Sequence, residues 1–147
     1  MGSPGLTPRQ ERVLSEIVRL LTPSYPQLDA ATTARVQADV TTFVALRIAA
    51  MPSFLRVPYR IAITAFNLLP LLWRARRFVS LPATAQASYL ALWSAARLGP
   101  MRDFVKLIRS CALLAYFDHP DVTQRLDAEH RPTPVVAAAA AVAPGMA

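Results

Sequence analysis

The sequence predicts an all-α fold: a single compact helical domain of about five long helices and one short one, followed by a disordered C-terminal tail. Three observations predict it. Apolar residues recur at helical spacing in one segment after another, with no run of strand-like alternation. Most of the 13 prolines stand at the junctions between those segments, where the ring's missing N–H does least harm. Alanine, the strongest helix former, supplies much of the 54% apolar content, and 147 residues suffice for one buried core. The expected organisation is a flexible N-terminus over 1–5, a helical accessory domain over 6–128 and an Ala/Pro-rich tail over 129–147.

The first helix announces its start. Thr7 is a good N-cap, Pro8 takes the first helical position and Gln10 completes a capping box. Val13, Leu14, Ile17, Val18, Leu20 and Leu21 then form one broad apolar face, and Thr22-Pro23 ends it. After a loop with Pro23 and Pro26, Asp29 caps a second helix reaching about Ala50, with Val36, Val40, Phe43, Val44 and Ile48 on one side. Met51-Pro52-Ser53 closes it and offers Ser53 as the next cap.

Residues 54–77 are the most apolar stretch. The run over 61–73 is thirteen residues long with Arg60 before it and Arg74 after it, short of the ~20 residues a bilayer span needs. A buried core helix is expected, started or kinked at Pro58 and Pro70. A helix over about 83–97 follows, with Tyr89, Leu90, Leu92 and Trp93 as its large apolar residues. Gly99 and Pro100 mark a stop and a restart. The helix over about 100–116 is the most periodic: Met101, Phe104, Val105, Ile108, Cys111, Ala112 and Ala115 fall on one stripe. A short helix over about 120–128 closes the domain, with Asp118 or His119 at its cap.

The net charge is +7, and fifteen of the sixteen basic residues are arginine. Nucleic acid is the usual partner of such a balance, but the charge is spread from Arg9 to Arg131 and clusters only at Arg74-Ala75-Arg76-Arg77. With no zinc-finger spacing or RNA-binding signature, no nucleic-acid partner is expected. Anionic lipid or an acidic protein fits the charge equally well, and Trp73 followed by three arginines is an interfacial pattern. A membrane-surface or lipid-binding module using residues 54–78 is therefore the alternative reading. Without a signal-like N-terminus the expected location is cytoplasmic, with peripheral membrane association as the alternative.

Catalytic chemistry finds little to stand on. Cys111 is the single cysteine and lies in an apolar run, as a small buried hydrophobe does. His119 and His130 lie eleven residues apart without the acidic or cysteine companions of a metal site. No phosphate-cradling glycine loop or nucleophile elbow occurs. Asp118, His119 and Asp121 could do acid–base work, but Asp-His-Pro-Asp is also what a helix start looks like, with acids near the positive end of the dipole. No catalytic, cofactor-binding or metal-binding residue is assigned, and the chain is not expected to be an enzyme.

Several islands, in order, carry a family likeness. They are Leu6-Thr7-Pro8-Arg9-Gln10; Arg77-Phe78-Val79-Ser80-Leu81-Pro82; Tyr89-Leu90 with Trp93; Lys106; and Leu114-Ala115-Tyr116-Phe117-Asp118-His119-Pro120-Asp121-Val122. Together they resemble the gluconate 2-dehydrogenase subunit 3 family and the similar region before the flavin domain of long-chain alcohol oxidases of the glucose–methanol–choline (GMC) class. The last island is the most specific. Beyond it the chain departs from the family's Leu-Gly-Tyr-Pro-like continuation, since Leu126 leads into Asp127-Ala128-Glu129-His130. The resemblance implies a non-catalytic small subunit or maturation protein for an FAD-dependent GMC oxidoreductase, with the FAD in the partner. Aromatic and arginine side chains dominate interfaces, so the expected partner-binding residues are Trp73, Arg74, Arg76, Arg77, Phe78, Tyr116, Phe117 and His119.

Overall fold

The structure is a computed structural model that describes residues 5–130; residues 1–4 and 131–147 lie outside the described residues, and of the disordered tail expected over 129–147 the first two, Glu129 and His130, belong to the last helix instead. The chain folds as α1 (Pro8–Leu21), α2 (Ala30–Ala49), α3 (Ser53–Leu68), α4 (Leu71–Arg74), a 3-10 turn (Phe78–Ser80), α5 (Ala83–Ser94), α6 (Gly99–Asp118) and α7 (Pro120–His130). The fold is all-α, and no strand occurs among the described residues.

Local chemistry sets the helix starts. Thr7 Oγ1 accepts the Gln10 N–H at 3.3 Å while Gln10 Oε1 accepts the Thr7 N–H at 3.0 Å, so the capping box forms in both directions. The Gln10 amide also donates to the Arg60 carbonyl at 3.2 Å and to Thr64 Oγ1 at 3.1 Å, tying the start of α1 to α3. Asp29 Oδ1 accepts the Thr32 N–H at 2.7 Å and caps α2. Ser53 is not a cap: it is the first residue of α3, Pro52 stands at the cap position, and no side chain bonds there. The fourth expected helix ends early, at Ser94 rather than near Arg97.

One continuous core joins the elements. α6 packs against α1, α2, α5 and α7, and α1 also packs against α2 and α3. Val13, Leu14, Ile17 and Val18 of α1 meet Val36, Val40, Val44 and Ile48 of α2 and Phe104, Val105 and Ile108 of α6 in the buried cluster. At the other side of the core Phe66 is the hub of an aromatic group. Its ring centroid lies 4.6 Å from Phe78, 4.7 Å from Tyr89 and 4.8 Å from Trp93, the first and last edge-on.

The expected helix over 54–77 is divided, and Pro70 divides it. Proline has no N–H to give the carbonyl four residues back, which is that of Phe66. The Tyr89 hydroxyl donates to that carbonyl instead, at 2.9 Å, and burial pushes the hydroxyl's pKa up to about 12. Tyr89→Phe leaves this buried carbonyl unsatisfied and is expected to cost about 1–3 kcal/mol in urea unfolding. An unchanged midpoint would show that the carbonyl has another partner.

Candidate functional site

The expected partner-binding residues fall into two groups, and each group loses one member to the core. In the first, Trp73, Arg74, Arg76 and Arg77 are exposed, whereas Phe78 is completely buried. The backbone explains the split. Ala75 ends α4 in the left-handed conformation (φ 52°), an uncommon state for a residue with a Cβ, and Arg77 is extended. The chain therefore reverses after the arginines and sends Phe78 inward onto Phe66. Gln86 holds the turn there: its Nε2 donates to the Phe78 carbonyl at 3.1 Å and its Oε1 accepts from Arg19 Nη2 at 2.7 Å. Asn67 Oδ1 also accepts the Val79 N–H at 3.4 Å.

In the second group Tyr116 is buried and stacks near Tyr25, with ring centroids 6.2 Å apart. It continues the Phe104, Ile108, Ala112 row of α6 by one more turn, so its burial follows from the helix period. Phe117, the next residue, points outward. His119 is largely shielded and sits at the junction of α6 and α7. Its Nδ1 accepts the Asp121 N–H at 3.2 Å, which leaves Nε2–H to donate to Asp39 Oδ2 at 2.9 Å. The Asp121 carboxylate is held by Arg35 Nη2 at 2.7 Å. These bonds place the Asp-His-Pro-Asp motif as a helix junction pinned onto α2.

The two groups line different clefts. Trp73 and Arg74 border one of about 190 Å³ against Leu81 and Tyr89. Asp39, Phe43 and Arg47 of α2 border another of about 330 Å³ with Leu114 and Asp118 of α6 and His119 at the junction. There the Arg47 guanidinium lies over the Phe43 ring, 4.9 Å from its centroid. Exposed Leu114 stands at this α2–α6 seam, and exposed Leu46 and Phe117 lie on the same two helices outside the cleft's lining.

A third surface falls in the region of the alternative reading, residues 54–78, and departs from the buried core helix expected there. The core helix expected over 61–73 buries only one side. On α3, Ile63 and Phe66 face the core, while Phe54 (74% exposed), Val57, Ile61 (62%) and Leu68 stand on the opposite side at helical spacing. Leu71, Leu72 (78%) and Trp73 (59%) extend that exposed apolar row through α4. A shallow groove of about 430 Å³ runs beside it, edged by Gln10, Arg60 and Thr64. The signal was present: apolar residues on both the inward and the outward side of this segment, adjoining an arginine cluster. Among the described residues no group of histidine, cysteine and acidic side chains is placed to hold a metal ion, and no helix is long and apolar enough to cross a membrane.

Compared with family models, curated proteins and solved structures, the chain matches none.

Proposed function

We propose that this chain is a non-catalytic accessory protein that docks onto an FAD-dependent GMC-class flavoprotein, the flavin residing in the partner, and that the α2–α6 seam is its docking surface. The observation that carries the reading is the seam itself. Exposed Leu114 lines a cleft between α2 and α6, with exposed Leu46 and Phe117 on the same two helices, and the cleft's polar groups, Arg47 over Phe43 and His119 on Asp39, are already held in place. Exposed apolar anchors beside a prepositioned arginine are what an interface needs, because little side-chain freedom is left to lose on binding. The class of partner rests on the family resemblance. Its most specific island, residues 114–122, supplies Leu114, Asp118 and His119 to this seam.

Co-expression with the GMC-class flavoproteins of the same genome tests the reading. The tagged chain is expected to retain a protein with a flavin absorbance spectrum. The double substitution Leu114→Asp, Phe117→Asp is expected to cut that retention about tenfold or more, while the helical spectrum and melting temperature stay near the parent's. Failure of the parent chain to retain a flavoprotein, or undiminished retention by the variant, overturns the proposal.

A further inference from the structure

We infer that the outer face of α3 and α4 docks in the plane of an anionic lipid bilayer. A helix with apolar rows on two opposite sides is ordinarily covered on both. Here α3 buries Ile63 and Phe66 but turns Phe54, Val57, Ile61 and Leu68 outward, and Leu71 and Leu72 prolong the row. Thr64 is the one side chain in the outward row that carries a hydroxyl, so a partner that must be read by hydrogen bonds finds almost nothing to bond. Sixteen residues of helix span ~24 Å, a length suited to lying along a surface.

Charge selects the occupant. Residues 53–77 contain five arginines, Arg56, Arg60, Arg74, Arg76 and Arg77, and no acid; the acid-free stretch extends from Val40 to Arg102. Among the described residues no carboxylate pairs with Arg74, Arg76 or Arg77. The left-handed Ala75 groups these three at the end of the apolar row, next to exposed Trp73, an indole that suits the boundary between acyl chains and headgroups. A second copy of the chain fits poorly. A two-fold contact through this face brings together two surfaces that each carry arginines and no acid to offset them. A surface of lipid phosphates supplies both the apolar interior for Phe54, Ile61 and Leu72 and the negative charge for the arginines. This surface is separate from the α2–α6 seam, so the inference stands independently of the flavoprotein partner.

Flotation of the purified full chain tests it, with vesicles of phosphatidylcholine alone and of phosphatidylcholine mixed with phosphatidylglycerol. Binding to the mixed vesicles is expected to exceed that to the neutral ones by about tenfold or more and to weaken in high salt. The triple variant Arg74→Glu, Arg76→Glu, Arg77→Glu and the double variant Ile61→Asp, Leu72→Asp are each expected to lose that binding with the helical spectrum intact. Leu72→Asp alone decides the apolar arm if the double variant loses helix. Leu114→Asp, Phe117→Asp is expected to float as the parent does, which separates this surface from the flavoprotein seam. Equal binding to neutral and anionic vesicles, or parent-like flotation of the charge-reversed or apolar-face variant, overturns the inference. So does light scattering that shows a dimer made monomeric by Ile61→Asp, Leu72→Asp, since that assigns the face to a second copy.

Discussion

Phe66→Ala is expected to destabilise the fold by about 3–5 kcal/mol, among the largest effects of any single substitution in this chain. Phe66 is fully buried, and its ring touches Phe78, Tyr89 and Trp93 while facing Phe104 at 6.1 Å. Those four partners belong to the 3-10 turn, α5 and α6, so one ring joins α3 to three other parts of the chain. Truncation removes the transfer free energy of a phenyl group and leaves a cavity walled by large, stiff aromatic side chains, which collapse poorly. Edge-on contacts worth about 0.5–1.5 kcal/mol each beyond area burial are lost as well. Against a total stability of about 5–15 kcal/mol the variant stands close to unfolding, and thermal melting should fall by roughly 10 °C or more. Trp93→Ala, in the same cluster, belongs to the same class. A drop of only a few degrees for Phe66→Ala would mean that α3 is not fastened to α5 and α6 through this ring.

What the sequence made legible follows the range of the interactions involved. The capping box at Thr7 and Gln10 and the cap at Asp29 are contacts three residues apart, and both form as their residue types require. The apolar rows of α1, α2 and α6 are likewise local patterns, and their inward faces were readable. Tyr116 was readable too, since it lies four residues beyond Ala112 on the buried row; its place beside Phe117 in an aromatic, polar-flanked segment drew it toward the surface instead. Two features depended on tertiary contacts. The exposure of Ile61 and Leu72 depends on no other helix among the described residues covering the outer face of α3 and α4, and a period in the sequence reports a face without reporting its neighbour. The burial of Phe78 depends on one backbone torsion at Ala75, a residue type that gives no sign of a left-handed conformation. The candidate site was therefore half legible. Trp73, Arg74, Arg76, Arg77 and Phe117 were placed on the surface as expected, whereas the seam that joins Leu114 and His119 to Phe43 and Arg47 required the pairing of α2 with α6.

Phe78→Ala and the double substitution Arg76→Glu, Arg77→Glu are expected to give opposite results although the three positions are consecutive. Phe78 is fully buried, edge-on to Phe66 at 4.6 Å and within 5.7 Å of Tyr89, and its carbonyl accepts from Gln86. Removing the ring should cost about 3–5 kcal/mol, as for other buried phenylalanines. The loss should also loosen the 3-10 turn, because the Gln86 and Asn67 bonds to this segment rely on Phe78 being seated in the core. The paired arginines stand exposed with no carboxylate partner among the described residues. Reversing their charge should change stability by no more than about 0.5 kcal/mol, and relief of crowding among like charges favours a slight gain. Chemical denaturation of the two variants beside the parent reads both effects directly. If Phe78→Ala unfolds at the parent's midpoint, the chain does not reverse at Ala75, and Phe78 returns to the surface with the arginines. If the arginine variant is the one that unfolds, the cluster has a buried partner, and neither a lipid surface nor a docking protein is needed to explain it.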